Sequence, residues 1–149
     1  MKQTLSLIVL AALGLSGCAD SSPGGKAVSA RHKHFEELGA AFKGVNDQLK
    51  GKAPNLVEIK AGADKIASLA PQVKDWFPAG SGPQDGKRTD AKAEVWTRPA
   101  EFQQAAGRLV DAATALTAVT ATGDTVAVAA SAKTLGAACK GCHDKFKKD

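Results

Sequence analysis

The chain has 149 residues and a formal charge of +5, from 20 basic and 15 acidic side chains. That length suits one domain, and the charge is spread without a basic stripe or interleaved aromatics, which argues against a nucleic-acid partner. Tyrosine is absent, aromatics make up 5% of the residues, and the chain is rich in alanine, a composition that favours helix over sheet.

Residues 1–17 read as a targeting segment. Lys2 supplies a short charged start, and Leu5 to Leu15 form an apolar run too short to span a bilayer as a mature helix. The run ends in Leu15-Ser16-Gly17-Cys18, which resembles a bacterial lipobox and implies cleavage before Cys18 and acylation of that cysteine. The alternative, ordinary secretory cleavage, leaves an unpaired thiol in an oxidising compartment, which is a liability. Several acyl chains together give a stable anchor, so the expectation is a lipoprotein held at a membrane of the bacterial cell envelope, on the periplasmic side. Residues 18–27, with Gly, Ser and Pro, read as a flexible tether, and residues 28–149 as the folded domain.

Four sets of apolar residues follow at helical spacing. Phe35, Leu38, Phe42, Val45 and Leu49 make the first. Leu56, Ile59, Ala63, Ile66 and Leu69 make the second, with Asn55 and Glu58 placed as an N-cap and its partner three residues on. The third is Phe102, Ala106, Leu109, Ala113 and Leu116, and the fourth Val128, Leu135, Ala138 and Cys142, opened by the Gly123-Asp124 break. Each stripe suits a helix lining a bundle core. The connections at Lys50–Pro54 and Thr122–Asp124 are short, whereas that from about Pro78 to Arg98 is long and rich in Gly and Pro. Short connections join antiparallel neighbours, so the expected fold is all-α, an antiparallel up-down four-helix bundle.

The chemistry is concentrated near the C-terminus, in Cys139-Lys140-Gly141-Cys142-His143. C-x-x-C-H is the covalent attachment pattern of a c-type haem. Positions i and i+3 share a helix face, so Cys139 and Cys142 can each form a thioether to one porphyrin, and His143 can offer the iron an axial nitrogen. Two other chemistries use similar residues. A thioredoxin-like pair belongs near a βαβ pattern, which is missing from this sequence. A structural zinc site needs four ligands, and no fourth is clustered here.

Four motifs then identify a family. Ala30-Arg31-His32-Lys33-His34-Phe35 with Leu38-Gly39, Phe77-Pro78-Ala79-Gly80-Ser81, Asp90 to Trp96, and Cys139 to Lys147 occur in the order and spacing of the class II c-type cytochromes. From about Val28 to Lys148 the chain resembles a cytochrome c′. Class I cytochromes are excluded, because the attachment motif is C-terminal and the only methionine, Met1, goes with the leader.

The resemblance implies one covalent haem c near the C-terminal helix, with Cys139 and Cys142 as attachment points and His143 as axial ligand. It implies Arg31, His32 and Asp90 at the haem edge or propionates, and Phe35 over the distal face, where family members often carry an aliphatic side chain or methionine. Lys147 stands where the family usually has arginine and keeps the charge without the planar fork. The implied function is NO or CO binding at a five-coordinate iron, with single-electron exchange with a redox partner and no catalysis. A homodimer through the first two helices is also implied. The alternative is a six-coordinate, low-spin electron carrier in which His32 or His34 supplies a second imidazole.

Overall fold

A computed structural model describes residues 20–148; the leader and Cys18 lie outside them. Five helices are present among those residues: α1 (Pro23–Lys50), α2 (Leu56–Leu69), α3 (Glu94–Thr97), α4 (Pro99–Thr120) and α5 (Thr125–Phe146). The four long ones form the up-down bundle, and the short α3 lies within the long connection.

Local chemistry explains the helix ends. Asn55 caps α2, its Oδ1 accepting from Val57 N at 3.0 Å and Glu58 N at 3.3 Å. Its own N–H donates to Gln48 Oε1 at 3.2 Å, so Gln48 of α1 takes the position expected of Glu58. Asp124 caps α5 through Val126 N and Ala127 N, at 2.9 and 3.1 Å. Gly123 before it has φ of 74°, a left-handed turn position that glycine adopts without a Cβ penalty.

The N-terminal tether is shorter than the sequence implies. Helix α1 begins at Pro23, five residues earlier than the expected boundary of 28. Proline fits a first helical turn because its missing N–H would have no intrahelical partner there. Ser22 caps the turn through Gly25 N at 3.1 Å. Residues 23–27 are therefore helical rather than free linker.

Packing follows the apolar stripes. Val45 of α1, Ile59, Ala63 and Ile66 of α2, Leu116 of α4, and Val128 and Leu135 of α5 are fully buried. Burial of each large aliphatic side chain contributes roughly 1.5–3 kcal/mol. These residues fill the half of the bundle nearest the two short turns. Phe35 and Phe42 of α1 and Ala138, Cys139 and Cys142 of α5 are only partly buried. They occupy the other half, where the helices line a cavity.

The long connection is partly structured. A 3-10 segment, Ala70–Asp75, extends α2, and another spans Pro83–Asp85. Its last part is tied to the end of α5 by an isolated antiparallel bridge between Ala91 and Lys147, with Lys92 N donating to Phe146 O at 2.8 Å and Lys148 N to Asp90 O at 2.7 Å. Trp96 Nε1 reaches the carbonyls of Phe77 and Pro78, both at 3.2 Å, which closes the connection on itself.

Candidate functional site

The cavity measures about 900 Å³, within the roughly 300–1,000 Å³ of sites that take organic cofactors. One wall is α5, which presents Ala138, Cys139, Cys142, His143 and Phe146. The facing wall is α1, with Val28, Phe35, Leu38, Gly39 and Phe42, while Phe102, Ala105, Ala106 and Leu109 of α4 complete the apolar lining. The mouth is polar, with Asp20, Ser29, His32, Lys87, Arg88, Thr89, Asp90 and Lys147. The seven cofactor and iron residues expected from the sequence, Arg31, His32, Phe35, Asp90, Cys139, Cys142 and His143, all meet at this one cavity or its rim.

The two thiols and the imidazole are set for a neutral role. Burial raises the pKa of Cys139 and of Cys142; the neighbouring Cys139 raises that of Cys142 further, against a smaller opposing effect of Arg108. Such surroundings disfavour the thiolate that redox or zinc chemistry requires, but a thioether carries no charge to desolvate. Among the described residues no three His, Cys, Asp or Glu side chains are grouped as a metal site. His143 has much of its surface in solvent yet lines the cavity. Partial burial lowers its pKa, helped by Lys147 and opposed by Asp144, which favours the neutral ring that ligates a metal.

Arg31 is the most enclosed charge in the site, 4% exposed. Its Nη1 donates to Trp76 O at 3.2 Å and Ser81 Oγ at 3.1 Å, and its Nη2 to Ser81 O at 3.1 Å and Thr89 Oγ1 at 2.9 Å. The guanidinium carbon lies 4.5 Å from the Phe77 ring centroid. Every one of these partners is neutral, and among the described residues no carboxylate pairs with it. A buried cation without a counter-charge is costly, and a carboxylate-bearing cofactor beside it would supply one. The donor set, the apolar volume and this unpaired cation all fit a haem.

The sequence did not single out several lining residues. Phe77, Phe102 and Phe146 form a run of edge-on rings, with centroids 4.9 Å apart for Phe77–Phe102 and 5.3 Å for Phe102–Phe146. Phe102 carried a stripe signal, but its place beside the cavity depends on tertiary packing. Both tryptophans are structural: Trp76 stacks on His34 at 4.9 Å and meets the edge of Phe35 at 4.9 Å, and neither Trp76 nor Trp96 lines the cavity.

The two upstream histidines diverge. His34 is held against Trp76 and does not line the cavity. His32 lines the mouth, largely exposed, with Nε2 3.2 Å from Glu36 Oε1. Asp90 is exposed at the rim, and its backbone oxygen takes the bond from Lys148.

Known proteins with this pattern are numerous. The family model described as Cytochrome C′ matches residues 26–147. The cytochrome c′ of Rubrivivax gelatinosus is 37% identical over 124 residues, covering 83% of this chain and 95% of the relative. A solved cytochrome c′ with ligand-controlled dimer dissociation superposes with a TM-score of 0.78 at 28% identity, over 86% of this chain and 98% of its own. A nitric oxide complex of a variant of the Alcaligenes xylosoxidans protein superposes at 0.76 and 28% identity, over 85% and 97%. A carbon monoxide complex of another variant does so at 0.76 and 27%, over 86% and 98%. With the attachment motif on one wall of a haem-sized cavity and this match along most of its length, the chain belongs to the cytochrome c′ family, whose members carry covalently attached haem c.

Proposed function

We propose that this protein binds NO and CO at a five-coordinate haem c and exchanges single electrons, anchored through acylated Cys18 on the periplasmic side of a cell-envelope membrane. One observation carries the reading: the cavity lined by Cys139, Cys142 and His143 takes Val28, Phe35, Leu38 and Phe42 from α1, none with a hydrogen-bond donor, while the buried α1 donor that reaches it, Arg31, is already bonded to Trp76, Ser81 and Thr89. When bound, the haem supplies an iron that takes a diatomic ligand and passes electrons, its choice of ligand set by the polarity, donors and access of the pocket.

The chain's own residues set those terms. Cys139 and Cys142 would hold the macrocycle by thioethers, and His143 would offer its iron a neutral imidazole nitrogen. Phe35 restricts access and offers polarised dioxygen no donor, whereas NO and CO depend less on one. Arg31, with His32 and Asp90 at the rim, would receive the carboxylate-bearing edge of the group. The NO and CO complexes of the Alcaligenes xylosoxidans variants support the choice of ligand. The relative with ligand-controlled dimer dissociation supports a homodimer. The role is binding and electron carriage rather than catalysis, with a redox partner still to be identified.

The test is a pyridine haemochrome spectrum of protein matured in a host with c-type assembly. The expected result is a c-type band that resists acid–acetone extraction and is lost when Cys139→Ala and Cys142→Ala are combined. Extractable haem in the native protein, or none, overturns the reading.

A further inference from the structure

The first described residues lie against the mouth of the cavity. Lys87 Nζ donates to Asp20 Oδ2 at 2.9 Å and to Ser22 Oγ at 2.8 Å. A Cβ on Gly24 would collide with the carbonyl oxygen of Gly80, so the first turn of α1 is seated directly on the long connection. Asp20, Gly25 and Lys87 line the cavity itself.

Cys18 is two residues from Asp20, a reach of about 7 Å at full extension. An acyl anchor on Cys18 therefore has little slack before the chain is clamped to the mouth. The surrounding charge has one dominant sign. Lys26, Arg88, Lys147 and Lys148 are exposed and have no ion-pair partner among the described residues. The acids on this face are mostly engaged: Asp20 pairs with Lys87, Glu36 with His32 and Asp144 with Lys140, and Asp85 Oδ2 accepts from Gly82 N at 3.0 Å, which leaves Asp90. The opposite end of the bundle, where Val126 is 78% exposed, lies about 40 Å away along α1, at 1.5 Å per residue.

We propose that the mouth of the haem cavity faces the membrane, with an anionic phospholipid surface as the partner of the cations around it. The proposal rests on the acylation of Cys18. In this orientation the clamp from Asp20 to Lys87 converts a lipid anchor into a fixed attitude of the bundle. The mouth then admits small solutes from the headgroup region and is shielded from soluble proteins.

The experiment uses the mature, haem-loaded protein in vesicles of phosphatidylethanolamine and phosphatidylglycerol with a trace of headgroup-labelled fluorescent lipid, the haem acting as quencher. A comparison protein carries a ten-residue Gly/Ser insert between Ala19 and Asp20 together with Lys26→Glu and Arg88→Glu. Its absorption spectrum reports whether the bundle is intact. The expected result is quenching at least twofold stronger at the native spacing. Equal quenching, in protein shown by mass spectrometry to be acylated, overturns the orientation and leaves the anchor standing. Unmodified Cys18 in the mature protein overturns the anchor and the orientation with it.

Discussion

Arg31 and Ser81 are joined across fifty residues of sequence by two hydrogen bonds of 3.1 Å each, one to the hydroxyl and one to the backbone carbonyl. Ser81 is fully buried, and its hydroxyl donates onward to Pro78 O at 2.7 Å. This pairing fastens the long connection to α1, so a residue expected at the haem edge also shapes the cavity wall. Arg31→Ala should lower the stability of the haem-loaded protein by about 2–4 kcal/mol, because several buried acceptors lose a charged donor together. Arg31→Lys should recover only part, since lysine lacks the fork that reaches two sites. Guanidinium unfolding followed by far-UV circular dichroism checks both, and an unchanged midpoint in Arg31→Ala would show the clamp to be dispensable.

Phe35 stands between α1 and the long connection, its ring centroid 6.1 Å from that of Phe77. Phe35→Ala should accelerate CO association to the ferrous protein by about tenfold, equivalent to ~1.4 kcal/mol in the barrier. The substitution should also cost about 2–3 kcal/mol of stability, below the range for a fully buried phenylalanine. Flash photolysis measures the rate, and unchanged kinetics would show that another group controls entry.

The strap from Asp90 to Lys148 gives a third expectation. Removing Lys148 and Asp149 deletes the bond from Lys148 N to Asp90 O and that from Lys148 Nζ to Thr89 O, at 2.7 and 3.0 Å. Stability should fall by about 1–2 kcal/mol, with faster hydrogen exchange confined to residues 83–92 and the end of α5. Exchange that rises evenly through the bundle would argue against a local strap.

Acid should weaken the N-terminal clamp in a defined window. Hydrogen bonds from Lys87 first, then from Ser22, lower the pKa of Asp20 from 3.8 to about 2. Between those values the unfolded chain holds more protons than the folded one, so this contribution is present above pH 3.8 and is lost as pH falls towards 2. Asp20 is exposed and Lys87 only half-buried, so salt screens the pair and the effect is small. Asp20→Asn should flatten the acid limb of the unfolding midpoint between pH 4 and pH 2 at low salt, and an unaltered slope there would show that the Asp20 carboxylate does not stabilise the fold.

Periodicity made the bundle legible, because Ile59, Ala63 and Ile66, or Leu109, Ala113 and Leu116, have one apolar neighbourhood and no competing role. The attachment site was legible because Cys139, Cys142 and His143 follow a spacing that chemistry dictates. The seating of Asp20 to Pro23 was not, because Gly, Ser and Pro signal a linker in isolation, and only tertiary contact with Gly80 and Lys87 makes them a capped helix start. Nor was the full environment of Arg31. Its partners Trp76, Ser81 and Thr89 lie 45 to 58 residues away, beyond the reach of any local pattern. Phe146 likewise reads as part of a tail until packing brings it to Phe102.

An iron held by His143 should keep one axial position open, because the apolar α1 side chains that line the cavity, Val28, Phe35, Leu38 and Phe42, offer it no ligand. Optical and EPR spectra of the purified mature protein, ferric and then ferrous with added CO, test it most directly. The expected result is high-spin or mixed-spin ferric haem and a ferrous spectrum that shifts on CO binding. A purely low-spin ferric signal, with a ferrous spectrum unmoved by CO, would mean that the chain supplies a sixth ligand and would contradict it.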